Sequence, residues 1–138
     1  MKITMCGSIK FMDEMVALQK TLEKAGHTVY MPIKVPGVDY WEEDGSGRVA
    51  AKKADNLIGK HMDKIKKSDA ILVANYTKKG IKNYIGGNTF SEMMFAHYLG
   101  KKIYMVNPAP KQNYVVDIID ELDSMEPRVV GGSVDELL

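Results

Sequence analysis

Apolar and polar positions change their period back and forth along this chain. Five short runs are apolar at most positions: "KITMC" (2–6), "HTVYM" (27–31), "AILVAN" (70–75), "KIYMV" (102–106) and, less regularly, "RVVG" (128–131). Runs of that length predict β-strands. The longer stretches between them repeat at helical spacing and predict helices over 13–24, 49–66, 89–99 and 113–123. Gly26 and Gly100 stand where C-terminal glycines end the first and third of these. The closing "SVDELL" predicts a short turn or helix.

Strands alternating with helices predict an α/β protein. Right-handed βαβ crossovers then lead to a three-layer, flavodoxin-like (Rossmann-like) sandwich with a mostly parallel sheet of about five strands. The chain of 138 residues is the size of one domain, and no repeat, low-complexity tract or boundary divides 1–138. Two connections are long, 32–47 after the second strand and 76–87 after the third. Both leave from the carboxyl edge of the sheet, as does the turn after the first strand. Ligands bind at that edge in open α/β sheets, so the three loops are expected to meet around one.

Charge and cysteine content narrow the partners. Lys+Arg 19 against Asp+Glu 18 leaves a formal charge of +1, so no global field points to a nucleic-acid polymer or an anionic membrane, and any anion site is local. Cys6 is the single cysteine, which excludes an internal disulfide and a multi-cysteine zinc site and fits a reducing, cytoplasmic setting. The first nine residues are too short for a signal peptide, and no apolar run approaches the ~20 residues that span a bilayer.

Four features carry candidate chemistry. In "MCGSIKF" (5–11) a strand ends in Gly7 and Ser8 just before a helix. Backbone N–H groups in such a turn converge on an anion, with Ser8 and Lys10 adding a hydroxyl and a charge; the simpler reading is a tight turn with a serine cap. "GSGRVA" (45–50) has the spacing of a dinucleotide fingerprint but follows the acidic "WEED" rather than a strand, so it is set aside. His61 falls with Ala54, Ile58 and Ile65 on the stripe that faces the sheet, as a core histidine or a functional one. The neighbouring lysines 52, 53, 60, 64, 66 and 67 read as a solvated face, and Asp69 as a turn residue.

The fourth is "GGNTFSEMMFA" (86–96), where Glu92 is the one charge in an uncharged run. With Thr89 as N-cap, Glu92 completes a capping box. It also heads the stripe Glu92, Phe95, Ala96, Leu99, at the positive end of a helix, where a carboxylate stays ionised and available as a nucleophile. Gly86 and Gly87 permit a substrate to approach the backbone. The helix is apolar nearly all round, through Phe90, Met93, Met94 and Phe95, which points to a homo-oligomer interface through 89–99 or to burial under the long loops.

Three segments in this order, "CGSIKF", "KIKKSDAILVAN" and "GGNTFSEMMFAHYLGKKIY", resemble the nucleoside 2-deoxyribosyltransferase-like superfamily. The turn "CGSI" is especially similar to that of the 2'-deoxynucleoside 5'-monophosphate N-hydrolases. The match runs over about 2–106. The resemblance implies an enzyme, dimeric or larger, that cleaves the N-glycosidic bond of a nucleoside or nucleoside 5'-monophosphate, with water or a second base as acceptor. It puts the nucleophilic glutamate on Glu92 and the phosphate-binding turn on Gly7, Ser8, Ile9 and Lys10. The usual catalytic aspartate falls on His61, where an imidazole would protonate the leaving base. Thr4 stands where the hydrolases carry a tyrosine. Asn75, Gly87, Asn88 and the Tyr40/Trp41 pair are candidate base or sugar contacts, Trp41 by stacking. Neither cofactor nor metal is implied. The competing readings are a non-catalytic nucleotide-binding module on the same fold and, more weakly, an NAD-cleaving glycosidase.

Overall fold

The computed structural model describes residues 1–111, 118–132, 134 and 137. Five strands, β1 (Lys2–Cys6), β2 (Thr28–Tyr30), β3 (Ala70–Val73), β4 (Lys102–Met105) and β5 (Arg128–Val129), form one sheet in the order β2-β1-β3-β4-β5, every pair parallel. This is the flavodoxin-like order, and the succession of strands across the sheet switches side between β1 and β3. All four residues of β3 are buried, as a central strand covered on both faces must be.

Helix α1 (Met12–Lys24) covers one face of the sheet, α3 (Leu57–Lys66), α4 (Gly87–Tyr98) and α5 (Ile119–Ser124) the other. In α1 the buried residues Met15, Leu18 and Leu22 recur at three and four, and they pack on Ile3, Met5 and Leu72. Val130, Val134 and Leu137 join this layer. Across the sheet, Ile65, Met93, Ala96 and Leu122 pack on Ile71, Val73, Ile103 and Met105. Strand alternation therefore assigns Ile3 and Met5 to one layer and Cys6 to the other. Among the described residues no helix is long and apolar enough to cross a membrane.

The helix expected over 49–66 is instead two helices, α2 (Ser46–Ala54) and α3. Asn56 breaks it by entering the left-handed region at φ 47°, a conformation that asparagine tolerates better than most residues. The break resets the helical phase. Ala54 and Ile58 are therefore exposed instead of sharing an inward stripe with Ile65, which is buried. The capping box is corrected too: α4 begins at Gly87 after an extended Gly86, Thr89 is inside the first turn, and Glu92 falls in the second. Two lysines leave the solvated face, since Lys64 Nζ donates to the Met31 carbonyl at 2.7 Å and Lys52 lines a cavity. Asp69 receives the Lys2 N–H at 2.7 Å, tying the starts of β1 and β3. Of the helix expected over 113–123, residues 113–117 lie outside the described ones, as does most of "SVDELL".

Candidate active site

A cavity of about 380 Å³ opens at the carboxyl edge of the sheet, beside the β1/β3 switch point where this topology parts its loops. Gly7 to Lys10 after β1, Pro32 and Ile33 after β2, Lys78 and Lys79 after β3, and the first turns of α4 surround it, together with residues of α2 and α3.

The turn after β1 is both a cap and a wall. Ser8 Oγ accepts the Lys10 N–H at 3.3 Å and caps the short 3-10 turn Ile9–Phe11. Gly7 is needed for close packing, because a Cβ there would stand 3.0 Å from the Ala74 carbonyl oxygen and 3.3 Å from Ala74 Cβ.

Glu92 closes the buried end of the cavity, with 4% of its surface exposed. Its Oε1 accepts from Asn88 Nδ2 at 3.0 Å, one helical turn earlier. Its Oε2 lies 2.9 Å from His61 Nε2, yet outside hydrogen-bond alignment, so Oε2 and the His61 Nδ1 are both buried without a hydrogen bond. His61 Nε2 instead forms its hydrogen bond with Cys6 Sγ at 3.6 Å. Burial first, and the nearby Glu92 second, push the Cys6 thiol well above the ordinary thiol range.

The mouth is cationic. Lys10, Arg48, Lys52, Lys78 and Lys79 line it. Lys78 Nζ reaches Ser8 Oγ at 3.5 Å and sits 4.4 Å over the Tyr84 ring; Lys10 Nζ sits 4.5 Å over the Trp41 ring. Burial, reinforced by Lys10, Lys79 and Arg48, lowers Lys78 to about 8. Burial, Lys79 and Arg48 lower Lys10 as well. Arg48 is held by the Tyr40 and Glu42 carbonyls, and Gly45, left-handed at φ +66°, makes room for its guanidinium.

Of the residues singled out in the sequence, Gly7, Ser8, Ile9, Lys10, His61, Gly87, Asn88 and Glu92 come together on this cavity. Asn75 and Trp41 do not line it. Asn75 is fully buried, exchanging side-chain and backbone hydrogen bonds with Asn107 at 2.8 to 3.0 Å, and so locks the loops after β3 and β4. Trp41 is 69% exposed and reaches the site through Lys10 alone; its neighbour Tyr40 lines the wall. Thr4 is buried against Ser68, Oγ to Oγ 2.6 Å, away from the cavity lining. The cations Arg48, Lys52, Lys78 and Lys79 were not singled out as site residues. Their one sequence signal was position, on or just after loops leaving the carboxyl edge.

No protein-family model and no curated protein matches the sequence. Solved structures do. A 2-deoxyribosyltransferase from Bacillus psychrosaccharolyticus superposes with a TM-score of 0.54 at 18% identity, over 85% of this chain and 81% of its own. The CMP N-glycosidase BcmB of Clostridium botulinum superposes with a TM-score of 0.55 at 16% identity, over 99% of this chain and 96% of its own. The chain has the nucleoside deoxyribosyltransferase fold. At these identities the likeness concerns the path of the backbone, which places Glu92 at the carboxyl edge of this fold's sheet. What the cavity does there rests on the chemistry of its own side chains.

Proposed function

We propose that this protein cleaves the N-glycosidic bond of a nucleoside 5'-monophosphate, with Glu92 as nucleophile. The observation that carries the reading is the buried Glu92 carboxylate, held by Asn88 at Oε1 and by the His61 contact at Oε2, at the closed end of a cavity whose mouth is ringed by cations. Both solved structures of this fold act, by their names, on glycosidic bonds of nucleosides or nucleotides, and CMP N-glycosidase takes a phosphorylated one.

As the base departs, taking its proton from water at the open mouth of the cavity, positive charge builds on the sugar ring. A carboxylate facing the anomeric carbon stabilises that charge and closes on it to give a glycosyl ester. Water, or a second base, then releases the sugar. Ser8, the turn N–H groups and Lys10 hold the 5'-phosphate, with Lys78 beside them. Asn88 holds Oε1 and so aims Oε2.

The geometry supports a different part for His61 from the acid expected across the bond. A contact of 2.9 Å between Nε2 and Oε2 leaves no space for a sugar between these two atoms. We assign His61 to positioning the carboxylate. The same contact favours a second reading, a nucleotide-binding module without chemistry, because an imidazolium so close would neutralise the nucleophile. A homo-oligomer fits the exposed Met94 and Tyr98 of α4, 41% and 85% accessible.

The test is release of free base from a panel of nucleosides and their 5'-monophosphates, wild type beside Glu92→Gln. Release by wild type alone supports the enzyme. Tight binding of a nucleotide that stays intact through long incubation supports the module, and release from none of the panel removes the first reading.

A further inference from the structure

We infer that Cys6, His61 and Glu92 form a binding site for a thiophilic divalent cation such as Zn²⁺, and that the ion, once bound, blocks the pocket's chemistry. The three residues come from β1, α3 and α4, and their ligand atoms Sγ, Nε2 and a carboxylate oxygen all lie within 4.8 Å of one another. Sγ to Nε2 is 3.6 Å and Nε2 to Oε2 is 2.9 Å. Zinc–ligand bonds of about 2.3 Å to sulfur and 2.0–2.2 Å to nitrogen and oxygen, at tetrahedral angles, require separations of roughly 3.6 Å and 3.3 Å. These two pairs are within about 0.4 Å of that geometry, and the third, Sγ to the carboxylate oxygen, lies within 4.8 Å and would close to roughly 3.6 Å on binding.

One further observation points to an ion. Glu92 Oε2 is buried and makes no aligned hydrogen bond, its 2.9 Å contact with His61 Nε2 notwithstanding, a shortfall that coordination would remove. The charges also balance, since two positive charges plus one thiolate and one carboxylate sum to zero. Binding displaces the thiol proton to water, one proton per ion. His61 contributes the Nε2 lone pair and keeps its proton on Nδ1, with no change of oxidation state. Three protein ligands leave a fourth position, and His61 and Glu92 line the cavity from which the ion would arrive.

His61 Nδ1 has no hydrogen-bond partner to brace the ring, and ligating histidines without such a brace hold metal less tightly. Binding is thus reversible. While bound, the ion occupies the carboxylate oxygen that attacks the sugar, so it inhibits; this last clause rests on the function proposed above.

Metal-stripped, tag-free full-length protein is titrated with Co²⁺ and followed by absorbance, then competed with Zn²⁺. One ion per chain, with the thiolate-to-cobalt charge-transfer band and the intense visible bands of a tetrahedral site, is expected. Cys6→Ala loses the charge-transfer band and binds at least tenfold more weakly, and Glu92→Gln, which keeps Cys6, also weakens binding; circular dichroism checks each fold. No saturable binding, or an unchanged spectrum in both variants, overturns the site. In the activity arm, Zn²⁺ inhibits base release by wild type, and Cys6→Ala needs at least tenfold more. Binding without inhibition overturns the blocking role alone. The metal titration requires no turnover, so a failure of the proposed function leaves it decisive.

Discussion

Replacing Glu92 by glutamine keeps the shape of the side chain and removes its charge. Asn88 Nδ2 can still donate to Oε1, as it does now at 3.0 Å, and the cavity keeps its volume. What is lost is the attraction between the carboxylate and the charge that grows on the sugar. At a separation of about 3.5 Å and an effective dielectric of about 20, a unit charge pair is worth roughly 4.7 kcal/mol. At 1.36 kcal/mol per decade this is about three and a half decades, or ~3,000-fold in rate. Losing the covalent route only adds to that. The assay is chromatographic detection of free base at saturating nucleotide, with isothermal titration showing that Glu92→Gln binds substrate within about tenfold of wild type. A Glu92→Gln protein that is folded, binds normally and retains more than a tenth of the wild-type rate would falsify the nucleophile.

Lys78 gives a pH signature. Its ammonium, lowered to about 8 by burial and by the neighbouring cations, is charged below that value and neutral above it, so its pull on a phosphate is complete near pH 7 and gone by about pH 9–10. KM for a nucleoside 5'-monophosphate should rise roughly tenfold over that range, the worth of one charge-assisted hydrogen bond, while KM for the unphosphorylated nucleoside stays level; Lys78→Met showing the same pH profile as wild type would remove Lys78 from the site. Gly7→Ala forces a Cβ to within 3.0 Å of a backbone carbonyl and should cost about 1–3 kcal/mol in urea unfolding; an unshifted midpoint would show that the turn has slack. If α4 pairs two chains, Tyr98→Glu together with Met94→Glu should halve the mass measured by light scattering at unchanged helicity, and a wild type that is already monomeric settles the matter the other way.

Much of the architecture was legible in local pattern. The buried runs marked β1 to β4 to within one or two residues, since a parallel strand covered on both faces has little choice but to be apolar. Gly26 and Gly100 stand just beyond α1 and α4 in the left-handed conformation that predicts their place. The break at Asn56 was less visible. No glycine or proline stands at the break itself, and Gly59, against which the Asn56 side chain packs, lies three residues on within "KKADNLIGK", a stretch that otherwise retains helical composition. The start of α4 was misjudged because two glycines are poor helix formers, yet Gly87 is its first residue.

The sequence by itself determined which groups would stand at the carboxyl edge: the Gly7–Ser8 turn, the head of α4 with Glu92, and the long loops. These follow from strand direction and helix phase, both local properties. Only the tertiary structure decided what those groups do to one another. Cys6, His61 and Glu92 are far apart along the chain, and their contact depends on how α3 and α4 lean on β1, which no period encodes. The same holds for Lys10, Arg48, Lys52, Lys78 and Lys79, brought to one mouth from loops and helices that individually look like ordinary solvated surface. Helical phase describes the faces of one element, whereas a site is made where the faces of several elements meet.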